Sequence, residues 1–347
     1  MRCSVRAAKV ELDAGVENAR GKFFKAIQIA EILYYDRMHP GEINLADHET
    51  YRCASKHWRD VISTRLVGSN SRSNGSWQDN LFPGQDTPHI LAILARENRR
   101  LGGGVEAYVY RRIGQMHGSI AELVISLEGN DPNEFSLRQF LDQCCQSQLL
   151  RVKERIYEII ACAIIATLTK FLDVQVITTV SAKRFQLVAS DEILLGAVLG
   201  MPNGKPKKTA AGRLSRLGLT SAADGGVDIV SNFGFIAQVK HAALDDRLLS
   251  KIYGAVQIEG MTVICRTVTF SSSSGSERHN TALVITENDL VRWSDQIVRG
   301  NFGLGAAAFL CENLTAGLRR EFPACDPVDF AAFMTERDYV GMAPWKI

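Results

Sequence analysis

Three polar side chains stand out because of where they fall. Gln238 and Lys240 interrupt the apolar run FIAQVK (residues 235–240) two positions apart, so on a strand both face one side of the sheet. A second short apolar run, residues 227–231, is joined to it by Asn232-Phe233-Gly234, the composition of a hairpin turn. A hairpin folded about Phe233 places Asp228 opposite Gln238, so that an acid, an amide and an ammonium converge. Burying such groups in central strands costs about a few kcal/mol each unless partners meet them. A metal ion and a DNA phosphate are partners of that kind. The Asp228 carboxylate is a hard oxygen ligand suited to Mg2+, and the Gln238 side chain and the Val239 carbonyl add two further oxygens. Lys240 would orient an attacking water or balance charge in the transition state. The other reading of this spacing is a Lys–Asp pair that only staples two strands.

The elements around these residues follow from periodicity and composition. Residues 1–149 read as mostly helical with polar loops. Residues 25–35 (KAIQIAEILYY) repeat apolar positions at helical spacing, and Ser55 is placed to cap a helix beginning at Lys56. Residues 68–85 have loop composition. Residues 151–172 form a long amphipathic helix, with Ile156, Ile159, Ile160 and Ala163 on one side, and VQVITTV (174–180) is β-branched and strand-like. A Gly/Pro/Lys loop at 201–217 leads to the hairpin, a helix at 244–256, a strand at 261–265 and a further strand at 281–285. The remainder is helical. This order predicts an α/β fold: a mixed sheet flanked by helices over residues 150–300, a mostly helical region 1–149 for DNA recognition or dimerisation, and a helical carboxy-terminal part, 301–347, packed on the core.

Composition narrows the class. The 347 residues are 46% hydrophobic and 22% charged, which is globular, and the net charge of +2 asks for no nucleic-acid partner by itself. Any DNA footprint must come from local clusters of Lys and Arg. The eight cysteines include no C-x-x-C pair and no zinc spacing, which suits a reducing compartment. Residues 1–13 lack the apolar core of a signal peptide, and the longest apolar stretch, IIACAIIATL, is half of the roughly 20 residues that span a bilayer. A cytoplasmic protein with no membrane association is expected.

The Asp…Gln-x-Lys arrangement on a strand hairpin, within this helix–strand order, resembles the PD-(D/E)xK nuclease fold. Longer stretches resemble the HaeII-type restriction endonucleases: KAIQIAEILYYDR (25–37), TYRCASKHWRD (50–60), QDNLF (78–82), GGVEAYVY (103–110), IYEII (156–160) and residues 220–241, in the same order over nearly the whole chain. The resemblance implies a type II enzyme that cuts double-stranded DNA within the palindrome RGCGCY using Mg2+. It implies a homodimer matching the two-fold target, and a cognate DNA methyltransferase in the host that is not a stable subunit. It maps the metal-binding aspartate to Asp228, the second acidic position to Gln238 and the lysine to Lys240. Two positions depart from the wider pattern: Val227 replaces a proline, and Gln238 replaces a glutamate, which removes a negative charge from the site.

Glu158, on the helix preceding the sheet, is the carboxylate expected to compensate; a helical charge paired with Lys153 or Arg155 is its other reading. Asp224 is a second candidate, beside Gly225 and Gly226, which equally suit a turn. His241 points to the opposite face and is read as structural. For DNA contact, Lys205, Lys207, Lys208, Arg213 and Arg216 form the densest basic stretch, just before the hairpin. Lys56 and Arg59, with Arg52, form a second cluster, and Arg96, Arg99 and Arg100 a third. Such residues give affinity and salt dependence rather than base choice. Gly303-Leu304-Gly305 follows a helix rather than a strand, so it is no dinucleotide loop, and the serine run 271–276 reads as a linker. Two other functions fit the same chemistry: a repair or recombination nuclease that reads DNA structure, and a DNA-binding protein of this fold without catalysis.

Overall fold

A computed structural model describes residues 4–17, 23–68, 70, 81–82, 87–145, 149, 152–179, 207–217, 227–255, 261–269, 283–322 and 327–346. Residues 71–80 of the expected loop, Lys205, Asp224 and the serine run lie outside them. Among the described residues the protein is mixed α/β, as the sequence predicts, with eleven α-helices and two sheets. The chain forms two compact units.

The first unit gathers residues Met1–Ser126, Leu141–Arg155 and Leu318–Ile347. Helices α1 (Val5–Glu17), α2 (Phe24–Met38), α3 (Arg52–Val67), α4 (Thr87–Arg100) and most of α5 (Gly104–Gly129) build it, with α11 (Pro327–Glu336). Helix α2 is buried on nearly all sides, from Ala26 through Leu33. Its polar residues are accordingly satisfied within the bundle. Glu106, fully enclosed, accepts from Arg37 Nε and Nη2, both at 2.9 Å, from Asn98, and from the Tyr339 hydroxyl at 2.5 Å. Arg337 donates to Glu31 at 3.1 Å, and Arg65 to Glu336. These bonds tie the carboxy-terminal residues to the amino-terminal helices, so the chain from Leu318 groups with this unit rather than with the sheet. Helix α3 begins four residues earlier than the Ser55 cap predicts. Ser55 lies inside it, where its hydroxyl accepts from Gln28 Nε2 at 3.0 Å.

The second unit, Leu127–Phe140 and Ile156–Gly317, carries both sheets. Helix α6 (Leu137–Cys144) begins in it, and helix α7 (Lys153–Phe171) leads into β1 (Gln175–Thr179). β1 pairs antiparallel with β2 (Lys207–Ala211) in a separate two-stranded ribbon. Strands β3 (Leu214–Arg216), β4 (Ile229–Ser231), β5 (Ile236–Leu244), β6 (Thr262–Val268) and β7 (Leu283–Thr286) form the main sheet in that order. β3–β4–β5 run antiparallel and β5–β6–β7 parallel, so the sheet is mixed. The expected loop at 201–217 contains β2 and β3, and the strand at 174–180 joins the ribbon instead of the main sheet. Helix α8 (Asp246–Ala255) supplies Leu249 and Ile252 to a core shared with Val263 and Cys265 of β6. Helix α9 (Glu287–Val298) opens on a capping box in which Thr286 and Asp289 satisfy each other's backbone N–H, and α10 (Ala306–Glu321) follows the glycine turn at 303–305.

Candidate active site on the β4–β5 hairpin

The hairpin turns as its composition requires. Gly234 adopts φ +85°, a conformation open to glycine, and the Ser231 hydroxyl accepts from the N–H groups of Phe233 and Phe235. The ladder pairs Val230 with Ile236 and Ile229 with Ala237, centred on Phe233. It ends one residue short of Asp228. There the Asp228 N–H donates to the Ala237 carbonyl at 3.0 Å, and the carboxylate reaches along β5 to accept from the Val239 N–H at 2.8 Å. The side chain is thereby fixed by the strand that carries Gln238 and Lys240.

Three chemistries meet here. Lys240 Nζ lies 4.0 Å from Asp228 Oδ2, with the lysine side chain 36% exposed and the aspartate 11%. An open ammonium can reach a phosphate while the carboxylate stays in place. Gln238 is buried, and its Oε1 meets no hydrogen-bond donor among the described residues. Leaving a buried acceptor unmet costs about 1–3 kcal/mol, which a hydrogen-bond donor or a cation would recover. No group of three or more His, Cys, Asp or Glu among the described residues is arranged to hold a metal. The available donors are instead one carboxylate, one amide oxygen and the Val239 carbonyl, an all-oxygen set compatible with magnesium, which keeps several waters.

Glu158 lies buried on α7, neither solvated nor on an open surface. Its carboxylate stands 3.7 Å from the Arg216 guanidinium on β3, so a strand residue of the main sheet is among its ionic partners. Arg216 is 1% exposed at the side chain, which corrects its expected role as a surface phosphate contact. Arg59 needs the same correction: it is 2% exposed, and its guanidinium is taken up by Asp60 at 2.8 Å and by Gln28 at 3.3 Å. Arg213 is exposed and Lys56 half-buried, while Lys207 and Lys208 lie on β2. In the remaining clusters Arg52 pairs with Glu49, Arg99 with Asp36 and Arg100 with Glu97. His241 packs edge-on against Tyr157, ring centroids 4.9 Å apart, with Nε2 3.7 Å from Glu287.

One positioning residue escapes the sequence reading. Asn232, in the hairpin turn, accepts from the Arg213 N–H at 2.7 Å and donates through Nδ2 to the Ala211 carbonyl at 2.9 Å. It links the hairpin to both β2 and β3. The only local signal is an Asn beside Phe-Gly, which any turn would share.

Among the described residues no helix is long and apolar enough to cross a membrane. No solved structure matches the chain. The family model of the HaeII restriction endonuclease matches residues 8–339. The chain is 32% identical to the type II restriction enzyme HaeII of Haemophilus aegyptius over 342 residues, 96% of this chain and 97% of that one. It is 33% identical to the type II restriction enzyme NgoBI of Neisseria gonorrhoeae over 343 residues, 96% of each. With the match spanning both units and the hairpin, the chain belongs to the HaeII restriction endonuclease family.

Proposed function

We infer that this protein is a type II restriction endonuclease that hydrolyses phosphodiester bonds of double-stranded DNA within RGCGCY, with magnesium as cofactor. Family membership supports the site-specific DNA endonuclease. The observation that supports the chemistry is the fixed Asp228 carboxylate 4.0 Å from an accessible Lys240 ammonium, beside the unmet Gln238 oxygen. Asp228, Gln238 and the Val239 carbonyl would hold the cation. When bound, it supplies Lewis-acid stabilisation of the phosphate and a water of lowered pKa.

The chain's own residues do the rest. The Val239 N–H holds the carboxylate in one orientation, which spares reorganisation during the reaction. Lys240 donates toward the phosphate oxygens, offsetting charge as the water oxygen bonds to phosphorus in line and gives its proton to solvent, while the phosphorus–O3′ bond breaks and the 3′ oxygen takes a proton from solvent. Glu158, whose carboxylate stands 3.7 Å from Arg216, would be a further carboxylate ligand; without it the donor set carries a single negative charge. Arg213, Lys56 and the β2 lysines would steady the phosphate backbone, with Lys205 beside them in sequence.

A palindromic target is matched by a two-fold symmetric protein, so a homodimer presenting one site per strand is part of the proposal. So are a cytoplasmic location and a host methyltransferase protecting the same sequence. The test is a plasmid digest with magnesium or with EDTA, followed by sequencing of the fragment ends. Discrete fragments ending within RGCGCY only with magnesium support the reading. A smear indicates a nuclease that reads DNA structure, and no cutting with retained binding indicates a binding protein.

A further inference from the structure

The pairing of β5 with β6 is regular up to Lys240 and then breaks. Residues 237–240 pair in step with 262–265, but the next pair is Ala243 with Thr267, so the ladder steps three residues along β5 and two along β6. One extra residue is taken up in β5 immediately after Lys240. Bulges of this kind are rare between parallel strands and gather beside active sites, where they re-aim a side chain.

The break is held from several sides. Beside it, the Cys265 carbonyl accepts from the buried Tyr157 hydroxyl of α7 at 3.0 Å. Burial pushes the Tyr157 phenol up from its usual pKa, so it stays protonated and donates. His241, within the bulge, has a side chain only 6% exposed. Its ring packs edge-on against Tyr157, and its Nε2 lies 3.7 Å from Glu287. Lys240, Cys265 and Thr286 occupy one row across β5, β6 and β7. Glu287 follows Thr286 as His241 follows Lys240, and the capping box at Thr286 fixes where α9 starts. A long helix, the neighbouring strand and a helix start therefore define the backbone just past the residue that bears the ammonium.

We propose that the bulge after Lys240, braced by Tyr157, His241 and Glu287, sets the aim of the Lys240 ammonium on the scissile phosphate, which makes these three positioning residues for cleavage. This rests on the nuclease reading above and adds what orients its lysine. A lysine carries its charge on a flexible stem, so its direction depends on where the backbone launches it. Asp228 is fixed by the Val239 N–H on one side of Lys240, and the bulge fixes the chain on the other. Lys240 Nζ stands 4.0 Å from Asp228 Oδ2 while its side chain keeps 36% exposure, close to the acid and still open to a phosphate. A misplacement on the order of 1 Å at such a group costs about 100-fold in rate, so a brace behind the strand is felt in the chemistry.

Tyr157→Phe keeps the ring against His241 and removes only the bond to Cys265, while Glu287→Ala, at a side chain 28% exposed, loosens the same brace from the other side. Each is compared with the intact chain on a duplex containing the site mapped from fragment ends. Enzyme is in excess, and the temperature is one at which every chain is folded by circular dichroism. The cleavage rate constant at saturating enzyme, the protein concentration for half-saturation and the magnesium midpoint are read separately. The rate constant is expected to fall about 10-fold in Tyr157→Phe and about 3-fold in Glu287→Ala, with the other two quantities held within about 2-fold. They hold because Asp228, Gln238 and Val239 all precede the bulge. An unchanged rate constant in Tyr157→Phe, whatever its melting temperature, makes the brace purely structural and overturns the proposal, as does a parallel shift of all three quantities. Should Tyr157→Phe not fold, Glu287→Ala decides alone by the same criteria. If the intact chain cuts no DNA, the nuclease reading itself fails and the positioning role falls with it.

Discussion

The carboxylate of Asp228 accepts a hydrogen bond from the backbone N–H of Val239 at 2.8 Å, and this sets its distance to Lys240 one residue further along β5. The acid is held by the strand that carries Gln238 and Lys240, so the candidate site is a property of two strands and not of a mobile loop.

The first consequence concerns Gln238. Replacing its amide by a carboxylate adds the charge the wider nuclease pattern has there. Gln238→Glu is expected to lower the magnesium concentration for half-maximal cutting several-fold, and Gln238→Leu to raise it by a similar factor. A magnesium titration of plasmid cleavage reads both; identical midpoints would remove Gln238 from the metal site.

Glu158 and Arg216 form a buried pair, and removing one partner leaves the other charge enclosed. Arg216→Ala should cost about 3 kcal/mol of stability, and Glu158→Gln combined with Arg216→Met should recover most of it. Urea denaturation of the variants reads this coupling. If Glu158→Gln alone also shifts the magnesium midpoint, Glu158 serves the metal as well as the arginine.

His117 is buried, its Nε2 has no hydrogen-bond partner among the described residues, and burial pushes its pKa down to about 4. The unfolded chain therefore takes up a proton near pH 6.5 that the folded chain refuses until about pH 4. Stability is full above pH 6.5, falls with pH between those values by up to about 3 kcal/mol, and loses nothing further to this group below. Denaturant midpoints between pH 4 and 7 should show that slope, and His117→Leu should flatten it.

Asn232→Ala removes the clamp between the hairpin turn and the ribbon base. Cutting should slow by about 10-fold, with affinity for DNA changed much less. Single-turnover rates beside binding curves separate the two; parallel losses would mean that the clamp only stabilises the fold.

The hairpin was legible because its signals are local: β-branched runs, a turn with glycine, and polar groups at alternate positions. Even so, in place of the expected pairing of Asp228 with Gln238, the Asp228 carboxylate accepts a hydrogen bond from the Val239 N–H, since the ladder ends at Ile229. β2 and β3 were hidden in a Lys/Pro/Gly segment whose strands exist through pairing with β1 and β4, a non-local cause. Arg59 and Arg216 read as surface cations because sequence shows their charge but not the partners they meet in the fold, Asp60 with Gln28 for the first and Glu158 for the second. Ser55 looked like a cap for the same reason, its hydroxyl being committed to Gln28 across the bundle.

The most direct test of the site is cleavage and binding by Lys240→Ala and Asp228→Asn measured together. Both variants should bind the cognate duplex within a few-fold of the intact chain, while magnesium-dependent cutting falls by at least about 1,000-fold. Cutting at the intact rate by either variant would place the chemistry elsewhere in the chain.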